Sequence, residues 1–157
     1  MNAPEMEDDL SVVEAPFGSE LYRQALGLRE AVLREPLGLT LTTEEQADDR
    51  LRQHFCARSH GAVVGSVSLR PLDGETIQLR QMAVAEERRR ENIGARLLGV
   101  AEDWARGQGY RLMVLNARLG AEGFYARYAY LAEGEPFDEN TVPHIRMTKA
   151  LSLKERR

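Results

Sequence analysis

The spacing of apolar residues in the first third of the chain predicts a short strand, an amphipathic helix and a polar segment. Residues 10–15 can form the strand, and Ser19 can cap the helix that follows. The apolar positions at helical spacing are Leu21, Ala25, Leu28 and Val32. Pro36 and Gly38 end this pattern, and the polar residues 39–50 predict a loop or a short helix.

Three apolar runs in the middle of the chain predict an antiparallel meander. They cover Gln53–Arg58, Ala62–Arg70 and Thr76–Val84, and glycine-containing turns separate them at residues 59–61 and 71–74. Links of this length and composition are typical of hairpins.

The apolar alternation in the third of these runs slips by one position. Ile77 and Leu79 alternate with polar residues, whereas the next apolar residues are Met82 and Val84. Because side chains alternate between the two faces of a strand, a β-bulge near residues 80–81 would put all four on one face. A strand end that is buried on both faces is the alternative interpretation.

The second half of the chain alternates between helical and extended patterns. A long helix is predicted by the spacing of Ile93, Leu97, Val100, Ala101 and Trp104. A shorter helix is predicted by the spacing of Ala121, Phe124, Tyr125 and Tyr128. The apolar run at 112–115 between them is typical of a strand covered on both faces. Residues 130–131 and 143–150 predict further strands, and residues 134–140 predict a polar loop between them.

This order of elements predicts an α/β fold of the α+β type. Strand–helix–strand passages imply parallel pairing in the second half, whereas the meander is antiparallel. We therefore expect one mixed, twisted sheet of six to seven strands with helices on both faces. It would form a single domain over residues 10–151, between a disordered acidic tail at 1–9 and a charged C-terminal tail at 152–157.

Composition and charge narrow the classes of partner. The chain has 157 residues, of which 43% are hydrophobic and 29% charged, and this balance is ordinary for a globular domain. Its net charge of -4 disfavours a nucleic-acid partner. Cys56 is the only cysteine and is expected to be a buried structural residue, so neither an internal disulfide nor a cysteine-based zinc site can form. With no apolar run of membrane-spanning length and no signal-peptide pattern, we expect a cytoplasmic protein without a membrane partner.

The segment Arg88–Ala95, between a strand and the long helix, predicts a phosphate-binding turn. A helix N-terminus presents unpaired N–H groups and the positive end of the helix dipole. Small residues at 94–95 let a phosphate approach the backbone, and the arginines at 88–90 add charge-assisted hydrogen bonds. The segment has neither the lysine of a P-loop nor the glycine spacing of a dinucleotide fold. A solvated charge run before an ordinary capped helix is the alternative.

The same residues resemble a family signature. Arg89-x-x-Asn92-x-Gly94 is similar to the Gln/Arg-x-x-Gly-x-Gly/Ala motif of the GNAT acetyltransferase superfamily, which cradles the pyrophosphate of coenzyme A. The preceding strand, residues 79–84, and the downstream Ala121-x-x-Phe-Tyr pattern resemble the same superfamily. The resemblance covers roughly residues 10–150 and is most specific over residues 79–130.

The sequence departs from the superfamily pattern in three places. Asn92 replaces the first glycine of the signature, and Asn tolerates a left-handed backbone better than other non-glycine residues. Ala129 stands where the superfamily usually has glycine. Arg80 and Gln81 stand in the strand region where many members carry the catalytic carboxylate, so the resemblance does not assign the base.

The resemblance implies acetyl-CoA as the cosubstrate and no metal. Residues 89–95 would hold the pyrophosphate, and backbone groups of Met82 and Val84 would pair with the pantetheine amides. Asn116 would bind the pantetheine arm or cap its own strand. The positions assigned to the coenzyme are Met82, Ala83, Val84, Arg89, Arg90, Asn92, Ile93, Gly94, Ala95, Asn116 and Tyr125.

The resemblance also assigns a general acid, since Tyr125 matches the tyrosine that protonates the leaving thiolate. An aromatic core residue is the alternative role for Tyr125. A lysine-like amine has a pKa of about 10.4 and must lose a proton before it attacks, which calls for a base. Glu135 and His144 are the leading candidates for this base, with Asp138 and Glu139 nearby in the sequence.

The function predicted from this pattern is N-acetyl transfer from acetyl-CoA to a primary amine of a small molecule or peptide. The amine would attack the thioester directly in a ternary complex. A non-catalytic acyl-CoA-binding module is the alternative, and a homodimer is possible. Nucleic-acid binding through residues 88–90 is disfavoured because Glu86, Glu87 and Glu91 offset their charge.

Overall fold

A mixed, twisted sheet of seven strands forms the framework of the protein, as the sequence predicts. The computed structural model describes residues 9–152. The strands, in the sheet order β1-β2-β3-β4-β5-β7-β6, are β1 (Ser11–Glu14), β2 (Gln53–Ser59), β3 (Ala62–Pro71), β4 (Thr76–Val84), β5 (Leu112–Arg118), β6 (Leu131–Glu139) and β7 (Val142–Ala150). The α-helices are α1 (Glu20–Arg29), α2 (Thr43–Asp48), α3 (Ile93–Gly107) and α4 (Glu122–Ala126). β4 and β5 pair in parallel, whereas β1–β2, β2–β3, β5–β7 and β6–β7 are antiparallel.

Two compact units make up the described chain. One consists of residues 9–70 and 81–101, and the other of residues 71–80 and 102–152.

The buried face of α1 differs from the predicted stripe. Ser19 caps the helix as expected, its hydroxyl accepting a hydrogen bond from the Tyr22 N–H at 3.1 Å. The buried residues are Tyr22, Ala25 and Arg29, whereas the predicted Leu21, Leu28 and Val32 are only half-buried. Polar contacts set this face of the helix. The Tyr22 hydroxyl and the Arg29 guanidinium both donate to the carboxylate of Asp49, at 2.6 and 2.7 Å, and Asp49 is fully buried.

The polar segment 39–50 contains a short helix, which settles the two alternatives left open by the sequence. After α1 the chain continues through a π-helical turn, Glu30–Arg34, and a 3-10 turn, Glu35–Leu37. Gly38 ends the 3-10 turn in a left-handed conformation, with φ of 74°. Thr42 and Glu45 then form a reciprocal capping box at the start of α2.

Helices cover both faces of the sheet, as predicted. Ala25 of α1 packs with Cys56, whereas α3 packs on the other face against Gly65. A Cβ at Gly65 would lie 2.8 Å from Cγ2 of Ile93 and 3.0 Å from Cδ1 of Leu97, so only glycine allows this approach. Cys56 is buried as expected, and burial raises the pKa of its thiol.

The backbone of β4 is irregular where the sequence predicts a bulge, but the alternation of buried side chains does not slip by one position. Gln81 has φ of 59°, a left-handed backbone within a strand. Beyond it Ala83 and Ala85 are buried, whereas Met82 and Val84 are half-buried. The expectation that Ile77, Leu79, Met82 and Val84 share one buried face is therefore wrong, because the buried alternation of Ile77 and Leu79 continues into Ala83 and Ala85 without a slip.

In the second unit, β5 is a buried central strand, as its apolar run predicts. Met113, Val114 and Leu115 are at most 2% exposed. The pairing of β4 with β5 joins Thr76–Gln78 to residues 112–114 and ends there, although β5 continues to pair with β7 as far as Arg118. The pairing of β4 with β5 therefore ends before residues 80–81, where the sequence predicts a β-bulge.

The predicted polar loop at residues 134–140 is wrong, because most of it belongs to β6. β6 pairs with β7 on both sides of an irregular stretch between Glu133 and Phe137, and its side chains are almost all exposed. Asn140 and Thr141, with φ of 52° and 63°, form the hairpin turn. A polar sequence suits an exposed strand as well as a loop, so polarity alone could not separate the two.

The predicted tails lie almost entirely outside the described residues. This applies to residues 1–8 and 153–157, and the single-domain assignment for 10–151 stays a prediction. Asp9 is described, and its carboxylate accepts a hydrogen bond from the His60 N–H at 2.7 Å. Across residues 9–152, no helix combines the length and the apolar character needed to cross a membrane.

Candidate functional site

The turn before α3 has an unusual backbone at two positions. Arg90 and Asn92 have φ of 75° and 65°, and both side chains are exposed. The N–H of Arg96 donates to the Asn92 carbonyl at 3.1 Å, which is the first α-helical hydrogen bond of α3. The N–H groups of Ile93, Gly94 and Ala95 therefore precede the helical ladder and are available to an anion at the positive end of the dipole.

The three arginines of this turn differ in their partners. Arg88 forms an ion pair with Glu91 at 2.8 Å, which offsets its charge. Arg89 donates from Nε to the Val84 carbonyl at 3.2 Å, and this bond fixes the turn against the end of β4. Arg90 is exposed and belongs to the left-handed part of the turn. Ile93 is 1% exposed and anchors the start of α3 in the core, so its side chain does not face solvent.

Residues 82–84 follow the irregularity in β4 directly. Ala83 is buried and the side chains of Met82 and Val84 are half-buried. The next residue, Ala85, donates its N–H to the Val64 carbonyl at 2.9 Å. The predicted coenzyme positions 82–84 and 89–95 thus lie in one unit, linked by the Arg89–Val84 hydrogen bond.

Tyr125 is a buried phenol in the second unit. Tyr125 is 8% exposed, and the centroid of its ring lies 5.0 Å from that of Phe124 and 5.8 Å from that of Tyr130. Burial raises the pKa of Tyr125 to about 12, so the hydroxyl keeps its proton at neutral pH. Ala129, with φ of 77°, follows α4 in the left-handed conformation that its glycine counterpart would favour.

Three predicted polar residues meet on β5, β6 and β7. Asn116 donates from Nδ2 to Oε1 of Glu139 at 3.1 Å, and Oε2 of Glu139 lies 4.0 Å from Nε2 of His144. His144 is buried, and its ring stacks on Phe137 at 6.2 Å. Nδ1 of His144 lies 2.7 Å from the Val142 carbonyl. A carbonyl only accepts, so Nδ1 carries the proton in the neutral imidazole and Nε2 keeps its lone pair.

Glu135 does not join this group. It is exposed and lies in the irregular stretch of β6 between Glu133 and Phe137. The sequence suggested Glu139 only as one of several acidic residues, and its contact with Asn116 spans 23 positions. Only the strand register brings these two side chains together. Within residues 9–152 no cluster of three or more His, Cys, Asp or Glu has a metal-binding arrangement.

Comparison with known proteins finds similarity to acetyltransferases. The sequence profile of the acetyltransferase (GNAT) family matches residues 18–130. A Bacillus subtilis (strain 168) protein whose name proposes an acetyltransferase is 28% identical over 128 residues, which cover 80% of this chain and 86% of the relative.

Solved structures share the fold. One is a Lactobacillus plantarum protein whose name proposes an N-acetyltransferase, with a TM-score of 0.82 and 22% identity over 92% of this chain and 100% of that one. Another is a GNAT family acetyltransferase from Elizabethkingia anophelis with acetyl-CoA bound, with a TM-score of 0.69 and 20% identity over 92% and 99% of the two chains.

Proposed function

The chain belongs to the acetyltransferase (GNAT) family, and from this premise we propose that it transfers the acetyl group of acetyl-CoA to a primary amine of a small molecule or peptide. The amine attacks the thioester carbonyl directly in a ternary complex. The carbon–sulfur bond breaks as the new amide forms, and coenzyme A leaves as the thiol.

The observation that carries this proposal is the turn of residues 89–95. Two left-handed residues, Arg90 and Asn92, precede the first turn of α3, whose N–H groups lie outside the helical ladder. Such an arrangement binds a pyrophosphate through backbone N–H groups, and Arg89 and Arg90 add positive charge. The solved relative from Elizabethkingia anophelis holds acetyl-CoA, which supports the same ligand here.

The backbone of residues 82–84 binds the pantetheine arm in this proposal. An irregular strand has backbone groups outside its ladder, and these can pair with the amides of an extended ligand. A backbone N–H here also polarises the thioester carbonyl and stabilises the oxyanion of the tetrahedral intermediate. Asn116 is the further pantetheine contact that the resemblance assigns, although its Nδ2 already donates to Glu139.

Tyr125 donates the proton to the departing thiolate. A phenol with a pKa of about 12 is fully protonated at neutral pH and is therefore in the form that a general acid needs.

His144 is the base that the geometry favours for the acceptor amine. Its Nδ1–H is held by the Val142 carbonyl, which leaves the Nε2 lone pair to accept a proton. The Glu139 carboxylate at 4.0 Å then stabilises the imidazolium that forms. Glu135 is the competing base and lacks such a partner arrangement in the described contacts.

A turnover screen tests the proposed function. Purified protein is incubated with acetyl-CoA and a panel of polyamines, amino acids, aminoglycosides and peptides, and release of free thiol is measured with and without each amine. Amine-dependent thiol release with a matching acetylated product supports the proposal. Calorimetric binding of acetyl-CoA without turnover of any amine favours the acyl-CoA-binding module, and absence of binding contradicts both functions.

A further inference from the structure

The backbone at Gln81 is strained for its residue type. Gln81 has φ of 59° in the middle of β4 and directly precedes residues 82–84, whose backbone is proposed to bind the coenzyme. A non-glycine residue other than Asn or Asp rarely adopts this conformation, and the preference against it is about tenfold. Something other than the intrinsic preference of glutamine must therefore hold this backbone conformation.

The side chain of Gln81 is held by the first unit's polar network. Its Oε1 accepts hydrogen bonds from Nη1 of Arg52 at 2.7 Å and from the Ser68 hydroxyl at 3.3 Å. The Arg52 side chain is 3% exposed, and its guanidinium also binds the carboxylates of Asp48 at 2.6 Å and Asp49 at 3.4 Å. A hydrogen bond from a buried guanidinium to an amide oxygen is among the stronger kinds in proteins.

Neutralisation of charge does not account for the bond between Arg52 and Gln81. Asp48 and Asp49 already oppose the charge of Arg52, and Arg29 also pairs with Asp49. Gln81 leaves its own Nε2 buried without a hydrogen-bond partner among the described residues, which is costly. Among the described contacts, the hydrogen bonds of this amide are thus the two that Oε1 accepts from Arg52 and Ser68, and the stronger one, from the guanidinium of Arg52, holds the left-handed backbone at Gln81.

We propose that Arg52 is a positioning residue, which clamps Gln81 in the left-handed conformation and so directs the backbone groups of residues 82–84 toward acetyl-CoA. The inference rests on the proposed function of that strand. Arg52 does not touch the reacting atoms and acts through Gln81.

A pair of substitutions at position 81 separates positioning from direct contact. Gln81→Gly and Gln81→Ala both remove the amide, but only alanine keeps the preference against a left-handed backbone. We expect kcat/KM for acetyl-CoA to be about tenfold lower in Gln81→Ala than in Gln81→Gly. Equal losses in the two variants would show that the amide itself contacts the substrate or has no role, and would overturn the clamp.

A second arm tests Arg52 itself and does not depend on turnover. In ¹⁵N-labelled protein, Arg52→Met should move the backbone amide resonances of residues 81–84, and the control Arg50→Met, at an exposed neighbour, should not. Arg52→Met should lower kcat/KM for acetyl-CoA in the parent protein. The same substitution in the Gln81→Gly variant should lower it by a several-fold smaller factor. Unchanged resonances at 81–84 would overturn the clamp. If the resonances move but neither coenzyme A binding nor turnover is found, the proposed function fails while the clamp stands.

Discussion

Four non-glycine residues of the candidate site regions, Gln81, Arg90, Asn92 and Ala129, have positive φ angles. Each such position costs roughly 1 kcal/mol for an ordinary residue, and strain of this kind persists where the surrounding structure or a function requires it. Two of them shape the turn before α3, one shapes β4 and one follows α4. At the residue scale, backbone conformation is thus as informative about this protein as side-chain chemistry.

Gly94→Glu is expected to weaken acetyl-CoA binding at least tenfold. A glutamate in the first turn of α3 suits the helix dipole, so the fold should tolerate it, but its charge opposes the pyrophosphate. Isothermal titration calorimetry measures the affinity. Gly99→Glu, five residues further along the same helix at an exposed position, is the control and should bind like the parent. Parent-like affinity in Gly94→Glu would place the coenzyme elsewhere.

Tyr125→Phe is expected to lower kcat about a hundredfold while leaving acetyl-CoA affinity nearly unchanged. The ring still fills its place against Phe124 and Tyr130, and only the acidic hydroxyl is lost. Steady-state kinetics with an acceptor from the screen provide the measurement. Tyr128→Phe, at a residue 36% exposed, is the control. A fully active Tyr125→Phe enzyme would mean that another group protonates the thiolate.

His144→Gln is expected to lower kcat by about a hundredfold, because glutamine preserves hydrogen bonding but cannot take a proton at neutral pH. Glu135→Gln should change kcat by less than about threefold, since Glu135 is exposed and outside the Asn116–Glu139–His144 group. Both variants are compared by kcat at saturating acetyl-CoA. The reverse ranking would assign the base to Glu135.

At the scale of elements, the helices of the first unit are fixed by polar contacts as much as by apolar burial. α1 presents Tyr22 and Arg29 to the buried Asp49, and Arg34 pairs with Glu45 of α2. His54 adds a ring contact to Tyr22 and a 2.9 Å hydrogen bond between its Nε2 and the Asp49 carbonyl. Each buried charge in this network needs a partner of opposite charge. Removing one partner therefore lowers the free energy of unfolding more than removing one partner of an exposed ion pair does.

Thr42→Ala is expected to lower the free energy of unfolding by about 1 kcal/mol. The Thr42 hydroxyl accepts from the Glu45 N–H at 3.0 Å, and the Glu45 carboxylate accepts from the Thr42 N–H at 2.9 Å. The substitution removes the first of these bonds. Thr43→Ala, within the first turn of α2, lacks this role and should be neutral or slightly stabilising, because alanine is the better helix former. Urea denaturation compares the variants, and equal stability of the two would contradict the cap.

At the scale of the whole molecule, buried phenols make stability sensitive to alkaline pH. Tyr22, Tyr125 and Tyr130 are buried, and burial raises the pKa of each. Tyr22 and Tyr130 also donate to the carboxylates of Asp49 and Glu102, at 2.6 and 2.8 Å, which raises their pKa further. Ionisation of either phenol would put two negative charges together.

The free energy of unfolding is expected to fall as pH rises above about 10. The pKa of Tyr125 is about 12 in the folded protein and about 10 when unfolded, so its contribution is complete below pH 10 and is lost as pH rises through 12. This loss amounts to about 1.4 kcal/mol at pH 11 for Tyr125 alone. Urea denaturation at pH 8 and at pH 11 gives the free energy of unfolding at each pH. This free energy should fall less between the two pH values in Tyr125→Phe than in the control Tyr110→Phe, at a half-exposed residue. An identical pH dependence in both would contradict the burial of the Tyr125 hydroxyl.

The sequence by itself determined the features that depend on local periodicity and local chemistry. The meander, the long helix α3, the buried strand β5 and the irregular position near Gln81 follow from spacing of apolar residues, and the turn of residues 89–95 follows from its position before a helix. These properties are local because the alternation of side chains along a strand, the hydrogen bonding within a helix and the dipole at a helix end depend on residues close in sequence.

Only the tertiary structure decided which polar side chains meet. Asn116 and Glu139 are 23 positions apart, Arg52 and Gln81 are 29 apart, and neither pair leaves a periodic signal in the chain. The same limit explains why the pattern predicts a loop at residues 134–140, most of which belong to β6, and why the apolar stripe predicts a different buried face for α1. An exposed edge strand needs no apolar alternation, and a buried Arg29 is stable only because Asp49 lies opposite it. Strand register and partner position are long-range properties, and they are set by packing of the whole chain.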